Sequence, residues 1–371
     1  MNPDISYRLV SSIQTHLLAW ADIALRDLPW RRDRDPYKVW VSEIMLQQTR
    51  VETVIPYYEQ WMARFPTLES LAKADLKDAL KCWEGLGYYA RCRNLHRAAK
   101  VVVDQYHGRV PDTREALLDL PGIGPYTVGA ILSLAFDQDA AVLDGNVRRV
   151  FFRLFALADA PKQKATRQKL WSLAEMLLPS GRAGQFNEAL MDLGATICTP
   201  KKPGCLGCPL QEVCRAYEIG DPESYPPRVP RPPLPHHTVA AGVIWRDGQL
   251  LIAQRPLDGL LGGMWEFPGG KQLPDESLAE CLKRELDEEL GIEVAVGEEL
   301  TIVHHSFTHF RITLHAFECQ YLGDGEPQAI GVRDWRWVSM QELDDYPFPV
   351  MDQRVIAVLR APRQHTLPGL R

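Results

Sequence analysis

Four of the eight cysteines lie close together, at a spacing that suits a metal cluster. They are Cys198, Cys205, Cys208 and Cys214, in the pattern C-x6-C-x2-C-x5-C. Structural zinc usually pairs two CxxC units across a longer gap. One CxxC flanked by single cysteines instead suits a 4Fe–4S cluster, with one thiolate on each iron. Because no flavin or nicotinamide fingerprint accompanies these cysteines, a structural cluster is favoured over a redox centre.

Two acidic residues are candidates for acid–base chemistry. Glu43, in VWVSEIMLQQT, has Val39 and Leu46 on its own predicted helical face, and Asp144, in AAVLDGNVRRVFF, precedes another predicted helix. A glutamate at the edge of an apolar face and an aspartate at a helix N-cap are also common structural residues. The residue pattern alone leaves both interpretations open.

A short glycine motif between two helical segments could bind phosphate. Gly122 and Gly124 lie in LPGIGPYTVGA, directly before a predicted helix. Glycines allow a tight turn and expose backbone N–H groups at the helix N-terminus, where a phosphate can dock. Most such turns are merely structural, so the motif gains weight only in combination with others.

A second set of carboxylates lies towards the C-terminal end. The segment carries glycine, arginine and glutamate at fixed intervals: Gly270, Glu276, Arg284, Glu285, Glu288 and Glu289. Helical spacing places Glu285, Glu288 and Glu289 on one face, where carboxylates could bind Mg²⁺ beside a diphosphate. The alternative is a scaffold helix whose acids are simply solvated.

The elements that must position these residues fall into two classes. Helical periodicity predicts helices at 8–25, 36–47, 68–81, 94–106 and 166–178. Later in the chain, alternation predicts strands at 237–245, 249–255, 301–306 and 311–321, with a hairpin turn at Asp247-Gly248 and a helix at 276–290. Between the two regions, seven of the sixteen residues at 220–235 are proline, which favours an extended linker. An all-α domain therefore precedes a smaller α/β domain.

Charge is divided between the same two regions. The 371 residues carry a formal net charge of −6, but residues 1–220 hold 28 Lys+Arg against 25 Asp+Glu, so the acidic excess lies after them. Opposite signs in the two regions suggest different partners. The composition excludes a fibrous or disordered chain, and neither a signal peptide nor an apolar run of membrane-spanning length is present. We expect no membrane partner, and a cytoplasmic protein.

The combination of motifs resembles a known enzyme family. A helix-hairpin-helix with Gly-x-Gly, an aspartate about twenty residues later and the four-cysteine pattern are similar to the DNA glycosylases related to endonuclease III. Within that superfamily, WVSEIMLQQTRVETVIPYY, WEGLGYYARCRNLH and FNEALMDLGATICT resemble the adenine DNA glycosylases (MutY-like). The resemblance implies removal of adenine mispaired with 8-oxoguanine or guanine in duplex DNA, by a base-excision enzyme acting as a monomer at a bacterial-type nucleoid.

The resemblance also implies roles for individual residues. Glu43 would protonate adenine with a pKa raised by its apolar neighbours, Asp144 would face the sugar cation as a carboxylate, and Tyr126 and Asn146 would orient these acids and the attacking water. Trp30, Arg31, Leu46 and Glu188 would form the adenine pocket. Contacts to DNA around 8-oxoguanine would come from Gln48, Thr49, Leu86, Tyr88, Gly122 and Gly124. A monovalent or divalent cation at the hairpin is a further expectation.

Tyr126 predicts the type of mechanism. Relatives that cleave the DNA strand carry a lysine at this position of the hairpin, where it forms a Schiff base with the sugar. Tyrosine cannot do so, and the sequence therefore predicts a monofunctional glycosylase with water as the final nucleophile.

The C-terminal region resembles a Nudix domain, which family members use to read the lesion opposite adenine. Phe307, Thr308 and His309 align with the family's Phe-Ser-His, and the Thr308 hydroxyl would contact the edge that distinguishes 8-oxoguanine. The acidic pattern at 270–292 satisfies the complete Nudix box, which is commonly degraded in this family. An active Nudix hydrolase of the 8-oxo-dGTP type, with Mg²⁺ at Glu285, Glu288 and Glu289, is therefore an alternative.

The predicted organisation has three parts. Residues 1–219 would form the helix-hairpin-helix glycosylase domain with the cluster loop at 198–214, 220–235 the linker, and 236–371 the Nudix-like domain. Two other functions remain open: a sibling glycosylase for thymine or uracil opposite guanine, and a non-enzymatic lesion-binding protein.

Overall fold

The protein folds as two compact units. The structure is a computed structural model that describes residues 6–229 and 232–361. The first unit comprises Met1–Lys73 and Asn94–Arg231, and the second comprises Ala74–Arg93 and Pro232–Arg371. The second unit thus includes the segment 74–93, which the sequence prediction had placed in the N-terminal domain.

Residues 6–229 form the helical part of the chain. Its α-helices are α1 Tyr7–Ala24, α2 Pro36–Leu46, α3 Val51–Arg64, α4 Leu68–Lys73, α5 Leu76–Cys82, α6 Ala90–Tyr106, α7 Arg114–Leu118, α8 Pro125–Ala135, α9 Gly145–Leu154, α10 Lys164–Leu177, α11 Ala183–Thr196 and α12 Arg215–Ile219. Across the described ranges, no helix combines the length and apolar character needed to cross a bilayer.

The predicted helices at 8–25, 36–47, 94–106 and 166–178 are confirmed, with ends shifted by up to four residues. The single helix predicted at 68–81 is wrong. Helix α4 ends at Lys73, and Asp75 adopts extended backbone angles (φ −69°, ψ 145°) as the N-cap of α5. An extended residue cannot continue a helix, so one periodic pattern covers two elements.

The core of the first unit forms where α1, α9, α10 and α11 meet. Fully buried apolar side chains include Leu17 on α1, Phe151 on α9, Leu170 on α10 and Phe186 on α11. Burial of these large side chains stabilises the unit and fixes the helices that carry polar residues on their opposite edges.

The predicted linker begins within the first unit. Residues Pro222–Ser224 form a 3₁₀ turn, and Arg153 on α9 donates to the carbonyl of Tyr225 at 3.1 Å. Pro230 and Arg231 of the predicted linker lie outside the described residues.

The rest of the second unit is an α/β sandwich. Its strands are β1 His236–Arg246, β2 Gln249–Gln254, β3 Trp265–Glu266, β4 Gly269–Lys271, β5 Val294–Ser306, β6 Arg311–Tyr321 and β7 Asp334–Val338, and its helices are α13 Leu278–Leu290 and α14 Val350–Arg360. The strand order is β3-β2-β1-β6-β5, with β4 paired to β1 and β7 to β2. Strands β1 and β6 are parallel, and the other pairs are antiparallel.

The two helices cover opposite faces of this sheet. Leu282 and Leu286 of α13 pack with Ala240, whereas Val355 of α14 packs in a separate core with Val243. The predicted hairpin at Asp247-Gly248 is confirmed, because both residues have positive φ (49° and 78°) and connect β1 to β2. The short strands β3, β4 and β7 were not predicted from the sequence.

Candidate active site

A cavity of about 850 Å³ in the first unit gathers most of the predicted site residues. It lies among the loop before α2, the turn before α8, the start of α9 and the inner side of α11. The predicted residues that line it are Trp30, Arg31, Glu43, Leu46, Gln48, Thr49, Gly122, Gly124, Tyr126, Asp144, Asn146 and Glu188. Residues more than a hundred positions apart thus meet at one concave site of the size that binds small ligands.

Glu43 is a buried acid at the end of α2. Only 3% of the residue is exposed, and the hydroxyl of Tyr126 donates to its Oε2. Burial raises the pKa of Glu43 to about 7, because the charged form loses its hydration, and nearby Asp144 adds to the rise while the hydrogen bond from Tyr126 opposes it. The predicted upward shift of this pKa is confirmed in direction, and a carboxyl with such a pKa can still hold its proton near neutral pH.

Asp144 is the N-cap of α9 as well as a cavity residue. Its Oδ1 accepts from the backbone N–H of Val147 at 2.6 Å, and its Oδ2 accepts from the Asn146 side chain at 3.0 Å. The resemblance implies that Asp144 acts as a carboxylate. Burial raises the pKa of Asp144 above its usual value, while the hydrogen bonds from Val147 and Asn146 favour the ionised carboxylate.

The glycine turn positions Tyr126. Gly122 has φ +79°, and a Cβ there would lie 2.6 Å from the Cβ of Asn94, so this position requires glycine. Gly124 has an ordinary extended φ of −113° and open space where its Cβ would be, so its backbone can be approached closely. Tyr126 follows Pro125 in the first turn of α8, and burial raises its pKa well above the usual value, which keeps its hydroxyl neutral.

An ion-pair network at the cavity includes residues that the sequence did not single out. Arg31 Nε lies 3.2 Å from Glu188 Oε1, and its Nη1 lies 2.8 Å from Oδ2 of the fully buried Asp192. Arg26 donates to Asp192 through both its backbone N–H and its Nε, each at 3.0 Å. Glu188 and Asp192 are one helical turn apart on α11. In the sequence, the only indication of this network was that Glu188 and Asp192 are spaced four residues apart in a largely apolar helical segment.

A second missed residue connects the active site to the cysteine loop. Arg149 on α9 donates from Nη2 to the Asn146 side-chain oxygen at 2.8 Å and to the Gly194 carbonyl at 2.6 Å. Its Nε donates to the Cys198 carbonyl at 2.7 Å. One guanidinium therefore holds a cavity residue, helix α11 and the first cysteine in fixed relation.

The four predicted metal-binding cysteines are free thiols in one loop. Arg153 Nη1 donates to the Cys198 sulfur at 3.3 Å. Burial raises the pKa of Cys208 to about 12, and its three partner cysteines add smaller effects, so the four sulfurs are neighbours. Within residues 6–229 and 232–361, however, no three His, Cys, Asp or Glu side chains are arranged to hold a metal ion, here or elsewhere.

The predicted lesion-reading residues lie on a turn between β5 and β6 in the second unit. Thr308 and His309 are exposed, and Phe307 packs against the rings of His305 and Phe310 at 4.6 and 4.8 Å. The Tyr88 hydroxyl lies 2.7 Å from Thr308 Oγ1.

The other predicted DNA contacts differ in exposure. Tyr88 is 44% exposed and has a positive φ of 50°, whereas Leu86 is only 6% exposed. Gln48 is exposed and also has a positive φ, of 58°.

The predicted Nudix acids lie on α13, which Ser277 and Glu280 cap at its start. Arg284 pairs with Glu285 at 3.0 Å and with Glu288 at 3.2 Å. A Cβ on Gly270 would lie 2.1 Å from Glu285 Cδ, so a larger residue there would displace this carboxyl group.

Glu289 is a partly buried member of the predicted Nudix acids. Burial raises the pKa of Glu289 to about 8, with further contributions from Glu266 and Glu285. The carboxyl group of Glu289 therefore lies close to those of Glu266 and Glu285, and an adjacent cation would favour its ionised form at neutral pH.

Comparison with known proteins agrees with this geometry. Residues 41–176 match the family described as HhH-GPD superfamily base excision DNA repair protein, and residues 240–358 match the NUDIX domain. The adenine DNA glycosylase of Mus musculus is 36% identical over 414 residues, covering 97% of this chain and 80% of the relative. The enzyme of the same name from Homo sapiens is 36% identical over 416 residues, covering 97% and 76%.

A solved structure of a thermostable thymine-DNA glycosylase has a TM-score of 0.53 and 36% identity, covering 57% of this chain and 98% of that one. It matches little more than half of this chain, whereas the adenine enzymes match nearly all of it. The chain therefore belongs to the adenine DNA glycosylase family, whose members are base-excision DNA repair enzymes.

Proposed function

We propose that this enzyme removes adenine paired with 8-oxoguanine by hydrolysis, with Glu43 as the acid. The observation that carries the proposal is the buried Glu43, whose pKa of about 7 lets it bring a proton to a cavity of ligand size. Cleavage of an N-glycosidic bond requires the leaving base to be protonated, and a flipped adenine would enter this cavity. The Tyr126 hydroxyl donates to Glu43 Oε2 and so leaves Oε1 for the proton.

Asp144 is proposed to stabilise the positive charge that develops on the sugar. The Asn146 side chain and the Val147 N–H fix its carboxylate, and developing positive charge nearby favours the ionised form. Tyr126 has no amine to form a Schiff base, and its raised pKa keeps the hydroxyl from acting as a nucleophile. Water is therefore the proposed nucleophile, and the enzyme is proposed to release the base without cutting the strand.

Arg31 and Glu188 are proposed to recognise the adenine edge beside Trp30 and Leu46. The Arg31–Glu188 pair offers a donor and an acceptor next to each other at the cavity wall. Adenine presents the complementary pattern of ring acceptors and an exocyclic amino donor. Trp30 is held edge-on by Tyr58, with ring centroids 5.3 Å apart, which restrains its indole.

The turn at 307–309 is proposed to read 8-oxoguanine on the opposite strand. The Thr308 hydroxyl lies 2.7 Å from that of Tyr88. A hydroxyl can accept a hydrogen bond from the N7–H or donate one to the C8 carbonyl, the two groups that distinguish 8-oxoguanine from guanine. Exposed His309 would contact the same base. In the proposed complex, the exposed side chains of Tyr88 and Gln48 enter the duplex.

Measured rates of adenine release test this function. The full-length enzyme is given duplexes with 8-oxoguanine or guanine opposite adenine, and duplexes with thymine opposite guanine, under single-turnover conditions. We expect the fastest release from 8-oxoguanine·adenine, no thymine release and no strand cleavage before alkali. Thymine release would favour the sibling glycosylase, β-elimination would overturn the water mechanism, and binding without release would indicate a lesion-binding protein.

The four cysteines are proposed to hold a 4Fe–4S cluster that closes the loop at 198–214. Soft thiolates suit iron, the thiols are free, and the Arg153 N–H donates to the Cys198 sulfur. The cluster would supply structural closure of the loop beside Arg149. Enzyme purified without oxygen should contain about four irons per chain, and Cys205→Ser should lower that content. Iron-free enzyme with an intact fold would count against the cluster.

A second candidate activity is Nudix hydrolysis of a nucleoside triphosphate such as 8-oxo-dGTP. The grouping of Glu285 and Glu289 with Glu266 favours it, because Mg²⁺ would stabilise this excess of carboxylates. The test compares full-length enzyme with Glu289→Gln in Mg²⁺ and 8-oxo-dGTP. Pyrophosphate release that the variant loses supports the activity, and equal or absent release from both proteins rejects it.

A further inference from the structure

The segment 74–93 packs as part of the second unit, although the sequence prediction placed it in the helical domain. It carries α5, the loop that contains Tyr88 and the start of α6. Its partners are the loop at 257–263 and the backbone at 346–348, together with Thr308. The residue proposed to enter the duplex and the turn proposed to read the lesion therefore belong to one unit.

Lys81 and Glu84 form a clamp on the backbone at 346–348. Glu84 Oε1 accepts from the N–H of Phe348 at 2.6 Å, and Lys81 Nζ donates to the carbonyl of Tyr346 at 3.0 Å. The two clamp residues also pair with each other at 2.9 Å. Phe348 is 1% exposed and stacks on Phe267, so the clamp holds a rigid part of the domain core.

The other end of the segment is fixed by Arg93. Its Nη1 donates to the carbonyl of Gly262 at 2.8 Å and its Nη2 to that of Gly259 at 3.3 Å. Leu80 of α5 approaches Gly263 so closely that a Cβ on that glycine would lie 3.3 Å from its Cδ1. The loop is thus held on both sides of Tyr88.

Between these two points, the loop has a defined shape. The Trp83 indole N–H donates to the Gly87 carbonyl at 3.0 Å, and the Gly85 N–H donates to the Tyr89 hydroxyl at 3.1 Å. The Arg91 guanidinium lies over the Tyr88 ring, 5.3 Å from its centroid. Any shift at the clamp would therefore reach Tyr88 through a stiff connection.

We infer that Lys81, Glu84 and Arg93 are positioning residues that hold the Tyr88 hydroxyl against Thr308, and that they set the preference for 8-oxoguanine over guanine. The inference rests on the proposed lesion-reading function. None of the three lines the cavity at Glu43, so the chemical step itself does not depend on them. A loosened clamp would leave Thr308 in place but free Tyr88 from it.

The test measures single-turnover adenine release opposite 8-oxoguanine and opposite guanine in full-length variants. Glu84→Ala should lower the ratio of the two rate constants about fivefold, the net effect of losing one typical hydrogen bond, while the guanine rate stays within about twofold. Glu84→Gln keeps an acceptor and should retain most of the preference. Glu218→Ala is the matched control, because Glu218 also pairs three residues back, with Arg215, but on an exposed surface.

A double variant separates positioning from general destabilisation. Because Glu84 is inferred to act through Tyr88, Glu84→Ala with Tyr88→Phe should lose no more preference than Tyr88→Phe alone. Additive losses, an unchanged ratio in Glu84→Ala, or equal falls on both duplexes would overturn the inference. A wild-type enzyme without any preference for 8-oxoguanine would instead overturn the proposed lesion reading itself.

Discussion

Burial gives Glu43 its chemical character. The hydrogen bond from Tyr126 and the charge of Arg31 both favour the ionised carboxylate, yet desolvation outweighs them and leaves the pKa at about 7. Asp144 is buried too, which raises its pKa, and its hydrogen bonds from Val147 and Asn146 act in the opposite direction. Glu43 accepts a hydrogen bond from one phenol, whereas Asp144 accepts from a backbone N–H and an amide side chain. Different environments of this kind are what dividing acid and electrostatic roles between two carboxyl groups requires.

The pKa of Glu43 predicts how adenine release depends on pH. The acid must hold its proton, so the single-turnover rate constant should be level below about pH 7 and fall about tenfold per unit above it. Glu43→Gln should abolish release while leaving duplex binding intact, measured by fluorescence anisotropy. A rate that rises through pH 7, or substantial release by the variant, would contradict the acid role.

The same shift predicts a pH-dependent cost to stability. The folded-state pKa of about 7 exceeds the usual value of 4.5, so this contribution to stability is fully present below about pH 4.5 and lost as pH rises through 7. Glu43→Gln avoids the loss and should be more stable than wild type at pH 8, by up to about 3 kcal/mol. Urea unfolding at pH 5 and pH 8 measures the difference, and an equal effect at both pH values would refute it.

Close approach of two helices positions Asn146. A Cβ on Gly194 of α11 would lie 2.6 Å from the Cβ of Asn146 on α9 and 3.1 Å from its Cα. Arg149 donates hydrogen bonds to the Gly194 carbonyl and to the Asn146 side chain, so the three residues are packed together. The glycine is therefore needed for space, since its helical backbone angles are ordinary.

Gly194→Ala should consequently impair catalysis, although Gly194 itself does not line the cavity. The added methyl must push α9 and α11 apart, which typically costs about 1–3 kcal/mol in a packed core, and it displaces the residue that orients Asp144. We expect slower adenine release and a lower urea midpoint. Thr196→Ala, on the exposed side of α11, is the control. Full activity of Gly194→Ala would contradict this prediction, because it would show that α9 and α11 can move apart without displacing Asn146.

At the scale of the whole molecule, neither compact unit is one continuous stretch of the chain. The sequence predicts a single division at the proline-rich linker, whereas the segment 74–93, which precedes that linker, belongs to the second unit. Helix α6 starts in that segment and continues into the first unit. Removal of the C-terminal domain would therefore leave α5 without the partners that the structure gives it.

A chain ending at Val229 tests this arrangement. Without Gly263 and the backbone at 346–348, residues 76–93 should exchange their amide hydrogens faster, while α8–α11 remain as protected as in the full chain. The truncated chain should also lose its preference for 8-oxoguanine. Hydrogen exchange followed by mass spectrometry measures the first effect, and equal protection of 76–93 in both chains would contradict it.

Local patterns in the sequence were sufficient to recognise the family and the two fold classes. The cysteine spacing, Gly-x-Gly before a helix and the glutamate pattern of α13 are read from residues adjacent in the chain, where turn geometry and helical period leave few alternatives. Periodicity likewise separated the helical region from the α/β region. It failed at 68–81 because a single extended residue, Asp75, interrupts two helices of the same period.

Tertiary structure decided what depends on residues far apart in the chain. Burial sets the pKa of Glu43 near 7 and raises that of Asp144, and the extent of this burial depends on the distant segments that pack around the two residues. The pairing of Asp192 with Arg26 and Arg31 joins positions more than 160 residues apart. The placement of 74–93 follows from contacts such as Glu84 with Phe348, 264 residues away. Composition and spacing specify which chemical groups a chain carries. The desolvation of those groups and their hydrogen-bond and ion-pair partners are decided only when distant segments pack together.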